Sequence, residues 1–396
     1  MQNVMTAIAL CATGAEKALS NELRKLGLSI TGSHFGRVRF NADTAGLYRA
    51  LMGLRSADRV LLEAGSFPAE DFDALYKGAN AIPWEQYISA GMGLKVDKVR
   101  ASCSRLEAVT SIQAVVHKAA AERLCRRYAL KRLPETVAPA EIRVYMEKDQ
   151  ASILLDLSGE PLFKRGYRLE GGIAPLRETT AAAIILLSGW RRKFTFCDPF
   201  CGSGTIAIEA AMYAWDMAPG LGRHFAMQNL LIADREIEDR ERQTFLGKVD
   251  FSRPIHIFGS DSESGIVAAA RANAERAYML ALGNLKRRQE GTPLHLPGLP
   301  VFKTFAMQDV RPLKREDSSG GGYIITNPPY GKRIGERTEA EAAYAEMALL
   351  ARNFPGWKLG VLCDHPGFES FFGRKAASCR EISNGAMQLY FYQFEL

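Results

Sequence analysis

The sequence predicts an α/β protein in which a parallel, doubly wound sheet occupies the C-terminal half and smaller α+β units precede it. From about residue 175 onward, short apolar segments bounded by glycine, proline or acidic residues alternate with helical patterns. This alternation is typical of a parallel sheet covered by helices on both faces. The 396 residues are enough to bury a core without disulfides, and two or three domains are expected.

Residues 1–65 predict a small α+β unit. Leucines and alanines recur at helical spacing up to Gly27, where a helix should end. In the segment 37–40, arginines alternate with valine and phenylalanine, as in a half-buried strand. A second helix near residues 47–54 and an apolar strand near Val60 complete the unit.

Residues 66–165 predict a second α+β unit. An apolar helical stripe runs from Ile112 to Leu124, and two strands meet near residues 148–150. The same helix carries a run of basic side chains, which is typical either of a solvated face or of a surface that contacts phosphates. These residues are Lys118, Arg123, Arg126 and Arg127, followed by Lys131 and Arg132. The glycine-rich segment 164–175 is the best candidate for a linker.

The C-terminal half contains the segments that predict the parallel sheet. The candidate strands are residues 194–200, 255–261, 301–307, 323–330 and 358–364. Residues 386–396 alternate as a final strand would. The polar stretch 233–253 is interpreted as an insertion that is partly helical.

Composition and charge limit the function classes. The net charge of +7 favours either a polyanionic partner or ordinary solubility. Seven scattered cysteines suit a reducing cytosol, so a cytoplasmic location is expected. No complete ligand set accompanies Cys197 and Cys201, and no metal is expected. No apolar run reaches the length of a membrane span, which predicts no membrane partner.

The segment DPFCGSGT, residues 198–205, is the first chemical motif. It follows a candidate strand and begins a helix, where open α/β sheets bind ligands. Gly202 and Gly204 would let a ligand approach the backbone, and free N–H groups at the helix start could receive a carboxylate or phosphate. The lysine of a phosphate-binding P-loop is missing. Asp198 at the strand tip therefore favours a cationic ligand group.

Two more aspartates follow candidate strands. Asp261 ends the second strand, where an acidic residue would hold a ribose diol, and Asp309 is expected at the end of the third. Each aspartate taken singly would be interpreted as a helix N-cap. Three of them at successive strand ends, beside a glycine turn, favour a binding site.

The strongest motif is NPPY, residues 327–330. Its two prolines force the chain out of the sheet and fix the local backbone. The side-chain oxygen of Asn327 and the carbonyl of Pro328 can then accept both hydrogens of a planar amino group. Tyr330 offers a face on which a base can stack. The alternative is a rigid turn with an incidental aromatic residue.

Together these motifs resemble the class I S-adenosylmethionine-dependent amino-methyltransferases. Longer runs resemble the THUMP-containing RNA methylases, including the RlmL-like guanine-N2 methyltransferases of large-subunit ribosomal RNA. The runs are LFKRGYR, APLRETTAAAIILLSGW, DPFCGSGTIAIEAA, APGLGR and TNPPYGKRIGE. The resemblance implies a ferredoxin-like domain (1–65), a THUMP RNA-binding domain (66–165) and a Rossmann-like methyltransferase domain (166–396).

The resemblance also implies roles for the candidate residues. S-adenosylmethionine would be the methyl donor, and the turn that contains Phe200, Gly202 and Gly204 would help to bind it. Asp198 would bind its amino group, Asp261 its ribose and Asp309 its adenine amine. Asn327 would contact the donor and would also hold the target amine together with Pro328, and Tyr330 would stack on the base.

The expected substrate is RNA, most simply ribosomal RNA. A DNA adenine methylase is an alternative, because NPPY serves any exocyclic amine. A transfer-RNA guanine-N2 methyltransferase and a non-catalytic RNA-binding protein that retains the fold are further alternatives. The first 165 residues favour RNA, since they predict compact α+β units rather than a helix-turn-helix.

Overall fold

The computed structural model describes residues 4–168, 176–286, 298–312, 321–330, 336–384 and 387–396. Two seven-stranded sheets organise these residues, one in each half of the chain. No helix in the described ranges is long and apolar enough to cross a membrane. Part of the linker candidate and residues 331–335, which belong to the TNPPYGKRIGE run, lie outside the described residues.

The first sheet has the strand order β2-β3-β1-β4-β7-β6-β5. Its strands are β1 (Met5–Leu10), β2 (Ser29–His34), β3 (Arg37–Ala42), β4 (Arg59–Pro68), β5 (Leu94–Ser102), β6 (Ala140–Glu147) and β7 (Gln150–Asp156). Four helices accompany it: α1 (Glu16–Lys25), α2 (Thr44–Gly53), α3 (Phe72–Ala81) and α4 (Val109–Tyr128). Short 3₁₀ turns also occur, the first at Trp84–Gln86.

Local sequence accounts for these elements. Val38 and Phe40 on β3 are fully buried while Arg39 is exposed, which confirms the alternation. Helix α1 ends two residues before Gly27, whose φ of +75° favours glycine. The stripe of α4 is buried from Ile112 to Leu124, as the sequence predicts.

Strand β4 joins the two N-terminal units into one sheet. It pairs with β1 through Arg59–Leu62 and with β7 along its length to Pro68. The domain boundary expected between residues 65 and 66 therefore falls inside a continuous ten-residue strand. The domain limits themselves stay a prediction.

The second sheet has the strand order β10-β9-β8-β11-β12-β14-β13. Its strands are β8 (Thr195–Asp198), β9 (Ile257–Asp261), β10 (Val301–Thr304), β11 (Gly322–Thr326), β12 (Lys358–Cys363), β13 (Ser378–Asn384) and β14 (Met387–Glu395). The first five are parallel, and β14 runs antiparallel to β12 and β13. All five candidate parallel strands are thus present, and the alternating C-terminal segment is β14.

Helices cover the second sheet. They are α5 (Glu178–Ser188), α6 (Thr205–Ala214), α7 (Arg235–Leu246), α8 (Ser264–Lys286), α9 (Glu336–Glu346), α10 (Ala348–Asn353) and α11 (Phe368–Phe372). Helix α7 lies within the polar insertion, which is partly helical as predicted. It contacts α2 of the N-terminal half, where Arg49 pairs with Glu241 at 3.2 Å.

Buried arginines hold the two halves together. Arg55 donates to the carbonyl of Met217 at 2.7 Å, while Arg165 donates to the carbonyl of Arg55. Arg165 also contacts Glu209 of α6 at 3.4 Å, and the hydroxyl of Tyr167 donates to the same carboxylate at 3.1 Å. The LFKRGYR run is therefore a packed connection between the sheets.

Candidate functional site

The site lies at the carboxyl ends of β8, β9 and β11, where the strand order reverses. Strand β8 lies between β9 and β11, and the chain runs from β8 outward to one side before returning to the other. Such a switch point leaves a crevice between the loops that follow neighbouring strands. Asp198 is the last residue of β8, Asp261 is the last of β9, and Asn327 directly follows β11.

Asp261 fixes the glycine turn. One carboxylate oxygen accepts from the N–H of Gly202 at 3.0 Å, and the other accepts from the N–H of Glu263 at 3.2 Å. The N–H of Cys201 donates to the carbonyl of Ser260 at 2.9 Å, which adds a second tie between the turn and β9. Asp261 is half-buried, so its outer face remains accessible.

The two glycines of the turn have different tasks. Both have positive φ, +50° for Gly202 and +85° for Gly204. A Cβ at Gly204 would lie 3.0 Å from the Phe302 ring, whereas a Cβ at Gly202 would meet nothing described within 4 Å. Gly204 therefore permits packing at the start of α6, and Gly202 leaves open space in front of the turn, as a ligand requires.

Asp198 is almost completely buried, with 1% of its surface exposed. One of its carboxylate oxygens accepts from the hydroxyl of Thr326 at 2.6 Å and from the N–H of Phe200 at 3.2 Å. The other, Oδ2, has no hydrogen-bond partner among the described residues. Burial, opposed by the Thr326 hydrogen bond, raises the pKa of Asp198 to about 7.

An unsatisfied buried carboxylate oxygen is costly unless a donor reaches it. A cationic group in the crevice would supply that donor and would also stabilise the ionised form of Asp198. The orphaned oxygen and the open space at Gly202 therefore fit a ligand that carries an ammonium group.

The NPPY loop is held from two sides. The hydroxyl of Tyr330 donates to Oδ1 of Asn327, and the hydroxyl of Tyr344 on α9 donates to the carbonyl of Pro329 at 3.0 Å. Burial raises the pKa of Tyr330 well above its ordinary value, so this hydroxyl stays protonated. The Tyr330 ring packs against both main core clusters, and Pro328 is buried. The loop is therefore rigid, with Asn327 half-buried at its start.

Thr326 connects the two motifs. It is the last residue of β11, is fully buried and donates to Asp198 across the sheet. It is not among the residues predicted from the sequence, although a lone hydroxyl at the end of the apolar run YIIT is a usable signal. The hydrogen bond fixes the start of NPPY relative to the glycine turn.

Asp309 is not at a strand end, which corrects the expectation of three aspartates at successive strand tips. Strand β10 ends at Thr304, and Asp309 lies five residues later in the 3₁₀ turn Met307–Asp309. Its side chain is exposed. The tip of β10 cannot be found from hydrophobicity, because the apolar pattern of VFKTFAM continues through Phe305 and Met307 after the strand has ended.

Arg168 is a second residue that is not predicted from the sequence. Its guanidinium donates to the hydroxyl of Thr205, the first residue of α6, and lies 3.4 Å from Glu178 at the start of α5. It therefore ties the beginnings of both helices together behind the glycine turn. Its place in LFKRGYR is the only sequence signal that could have indicated it.

The chain matches two known domains. Residues 165–291 and 292–393 match the RMKL-like methyltransferase domain, and residues 6–61 match the RlmL ferredoxin-like domain. These matches agree with the two-sheet architecture and with the topology of the N-terminal unit.

Two curated relatives align with nearly all of the chain. "Putative RNA methyltransferase YpsC" of Bacillus subtilis (strain 168) is 34% identical over 391 residues, which is 98% of this chain and 95% of that protein. "Ribosomal RNA large subunit methyltransferase K/L" of Syntrophotalea carbinolica is 32% identical over 400 residues, which is 97% of this chain and 52% of that protein. This chain therefore spans about half of the second relative.

Two solved structures extend the comparison. SMU.472, crystallised in complex with SAH, has a TM-score of 0.87 and 34% identity, and the match covers 100% of this chain and 99% of that one. A Listeria monocytogenes protein described as a "predicted N6-adenine-specific DNA methylase" has a TM-score of 0.87 and 32% identity over 99% of this chain and 96% of that one. The names of these similar proteins differ in the nucleic acid they indicate, whereas all indicate methyl transfer.

The methyltransferase-domain match covers more than half of the sequence, and it includes both the glycine turn and the NPPY loop. On this basis the chain belongs to the RMKL-like methyltransferase family, with an RlmL ferredoxin-like domain at its N-terminus.

Proposed function

We propose that this protein transfers a methyl group from S-adenosylmethionine to the exocyclic N2 amine of a guanine in RNA, and that its substrate is large-subunit ribosomal RNA. The orphaned carboxylate oxygen of Asp198, next to a rigid NPPY loop, is the observation that carries the proposal. In this proposal, a site for a cationic donor lies next to a site for the target amine. The names of the two curated relatives, both RNA methyltransferases, support RNA as the substrate class.

The donor fits the residues at the glycine turn. S-adenosylmethionine supplies an electrophilic methyl group on its sulfonium. Asp198 binds its amino group through the free carboxylate oxygen, with Phe200 and Gly202 as neighbours in the turn. Asp261 accepts from the ribose hydroxyls, because each of its oxygens retains a lone pair beyond its backbone hydrogen bond. Asp309, which is exposed, accepts from the adenine amine.

The NPPY loop positions the nucleophile. The amide oxygen of Asn327 and the carbonyl of Pro328 accept the two hydrogens of the target amine, which directs its lone pair toward the methyl group. The same acceptors stabilise the positive charge that develops on nitrogen. The Tyr330 hydroxyl holds Asn327 in place while leaving the second lone pair of Oδ1 for the amine. No dedicated general base is needed, since the proton can leave to water after transfer.

The N-terminal half provides the RNA-binding part in this proposal. Residues 66–165 act as a THUMP domain beside the ferredoxin-like domain, on the sheet that both share. The experiment that tests the proposal uses methyl-labelled S-adenosylmethionine, purified protein and RNA from cells that lack this gene. Digestion should give labelled N2-methylguanosine in the ribosomal fraction. Label in methyladenosine would overturn the guanine assignment, and label in transfer RNA alone would overturn the ribosomal assignment.

Replacing Asp261 with alanine should weaken donor binding. The substitution removes the proposed ribose acceptor and also releases the N–H of Gly202, so affinity for S-adenosylhomocysteine should fall by about 10- to 100-fold. Isothermal titration calorimetry measures this directly. Asp250→Ala is the matched control, because Asp250 is a half-buried aspartate, like Asp261, whose side chain accepts from Ser252 in a turn outside the site. Unchanged affinity in Asp261→Ala would contradict the ribose assignment.

A further inference from the structure

A cleft of about 730 Å³ opens on the first sheet. Its walls come from β1, β3, β5, β6 and the start of β4, and Phe163, Arg177 and Ser383 of the later chain also line it. It is therefore formed where the two N-terminal units meet the beginning of the catalytic half. None of the site residues assigned above is among its lining residues.

The cleft is basic. Three carboxylates face it, those of Asp58, Asp97 and Glu147, against twice as many cationic side chains. The cations are Arg37, Arg59, Lys98, Arg100, Arg143 and Arg177. Because basic residues outnumber acidic ones by only 51 to 44 over the whole chain, this concentration of positive charge is local.

Two of these cations are not neutralised. Arg37, Arg59, Arg143 and Arg177 each pair with a carboxylate. Lys98 and Arg100 are exposed on β5, and neither has an ion pair within the part of the chain that the structure describes. Partial loss of hydration within the cleft, together with the neighbouring Arg100 and Arg143, lowers the pKa of Lys98. Crowded like charges of this kind are stabilised by a bound anion.

Aromatic side chains lie beside the charges. Phe35, between β2 and β3, is 91% exposed, so the faces of its ring are open to a ligand. The guanidinium of Arg177 lies 4.7 Å from the centre of the Phe163 ring, and that of Arg100 lies 5.9 Å from the Tyr145 ring. Tyr145 is buried, so the ring that is open to a base is that of Phe35. Cations that track a backbone together with an exposed ring face are the features of single-strand nucleic-acid binding.

The cleft is connected to the donor site through the start of α5. Arg177 immediately precedes that helix and pairs with Asp58 at 3.2 Å. The next residue, Glu178, pairs with Arg168, which also contacts Thr205 at the end of the glycine turn. An RNA strand that leaves the cleft past Arg177 would therefore run toward the first residues of α5 and α6, beside the glycine turn that binds the donor in the proposal.

We propose that this cleft holds a single-stranded segment of the RNA substrate that flanks the target nucleotide. Lys98 and Arg100 contact its phosphates, and Phe35 stacks on one of its bases. The inference rests on the proposed function for RNA as the substrate. The cleft is distinct from the basic face of α4, for which the sequence leaves open either a solvated face or a phosphate-contacting surface. On that face Arg123 is already held by Glu85 at 2.7 Å and by two backbone carbonyls.

The test compares two double substitutions in the full chain. Lys98→Glu/Arg100→Glu reverses the free charges in the cleft, and Arg126→Glu/Arg127→Glu makes the same charge change on the exposed face of α4. The probe is a fluorescent single-stranded RNA of about 12 nucleotides, within the range that such grooves hold. The cleft double should raise Kd at least about tenfold and lower the slope of log Kd against log salt by about 1.4. Phe35→Ala should raise Kd by about 5- to 100-fold.

The outcomes separate this inference from the proposed function. Equal losses in the two doubles, or retained affinity in the cleft double, would contradict the cleft, while labelled N2-methylguanosine from the wild type would still support the reaction. A wild type that binds no RNA would overturn both. Binding of S-adenosylhomocysteine should be unchanged in all three variants, because none of the substituted residues touches the glycine turn.

Discussion

Asn327→Ala should lower the rate of methyl transfer by about 10²–10³-fold while leaving the affinity for the donor nearly intact. The amide oxygen acts on the amine at the moment when positive charge develops on its nitrogen, so its loss raises the barrier rather than weakening donor binding. The fixed loop strengthens this expectation. Thr326 and Tyr344 hold the backbone on both sides of Asn327, and they remain after the substitution.

The measurement is a single-turnover rate with labelled donor, combined with calorimetry of S-adenosylhomocysteine. Asn327→Asp is the matched variant, because it keeps an acceptor oxygen at the same position and should retain more activity than alanine. Tyr330→Phe removes the hydroxyl that donates to Asn327 Oδ1 but keeps the ring, so it separates positioning of the amide from stacking on the base. A rate for Asn327→Ala within about threefold of the wild type would disprove the assigned role.

Three of the four strands that are not individually predicted from the sequence lie at sheet edges, and the fourth, β1, lies inside the first sheet. Strands β2 and β5 form the two edges of the first sheet, and β13 forms one edge of the second. No residue of β2 is buried, and a register shift between Val96 and Lys98 breaks the alternation of β5. The central strands of the second sheet are recognised because both of their faces are covered, whereas these edge strands carry the polar residues that prevent aggregation and so lose the apolar signal.

The residues of the site also divide into those that the sequence predicts and those that only the fold brings together. Asp198 and Asp261 are found from the sequence, because each ends a strongly apolar central strand. The bond between Thr326 and Asp198 is not, since 128 residues separate its partners and the strand order is needed to bring them together. The basic cleft also cannot be recognised from the sequence, because its cations come from five separate segments of the chain. The run of basic residues on α4 is easily seen in the sequence, yet Arg123 already forms an ion pair with Glu85.

Asp198→Asn should weaken donor binding. At pH 8 it should also raise the free energy of unfolding of the donor-free protein. Burial raises the pKa of Asp198 from 3.8 to about 7, so the folded state holds a proton that the unfolded state has already lost between those values. Stability from this group is fully present below pH 3.8 and is lost as pH rises through 7. The loss amounts to about 4 kcal/mol, since each pH unit between the folded and unfolded pKa values of this carboxyl contributes about 1.4 kcal/mol.

Asparagine removes that buried charge while keeping an oxygen for the Thr326 hydroxyl. Its NH₂ group then lacks an acceptor, at a cost of about 1–3 kcal/mol, so a net gain of about 1–3 kcal/mol is expected at pH 8. At pH 5 the wild-type carboxyl is already neutral, and the gain should vanish. Denaturant unfolding at the two pH values measures this. A stability difference that does not depend on pH would contradict the raised pKa of Asp198.

Donor binding should show the opposite pH dependence. An ammonium group is attracted by the carboxylate and not by the neutral acid, so wild-type affinity for S-adenosylhomocysteine should fall about tenfold for each pH unit below 7. In Asp198→Asn the affinity should be low and nearly independent of pH between 5.5 and 7. Wild type and variant with parallel pH profiles would show that Asp198 does not meet the amino group. If ionisation of Asp198 lowers the stability of the donor-free protein and raises its affinity for the donor over the same pH range, the buried charge serves donor binding at a cost in stability.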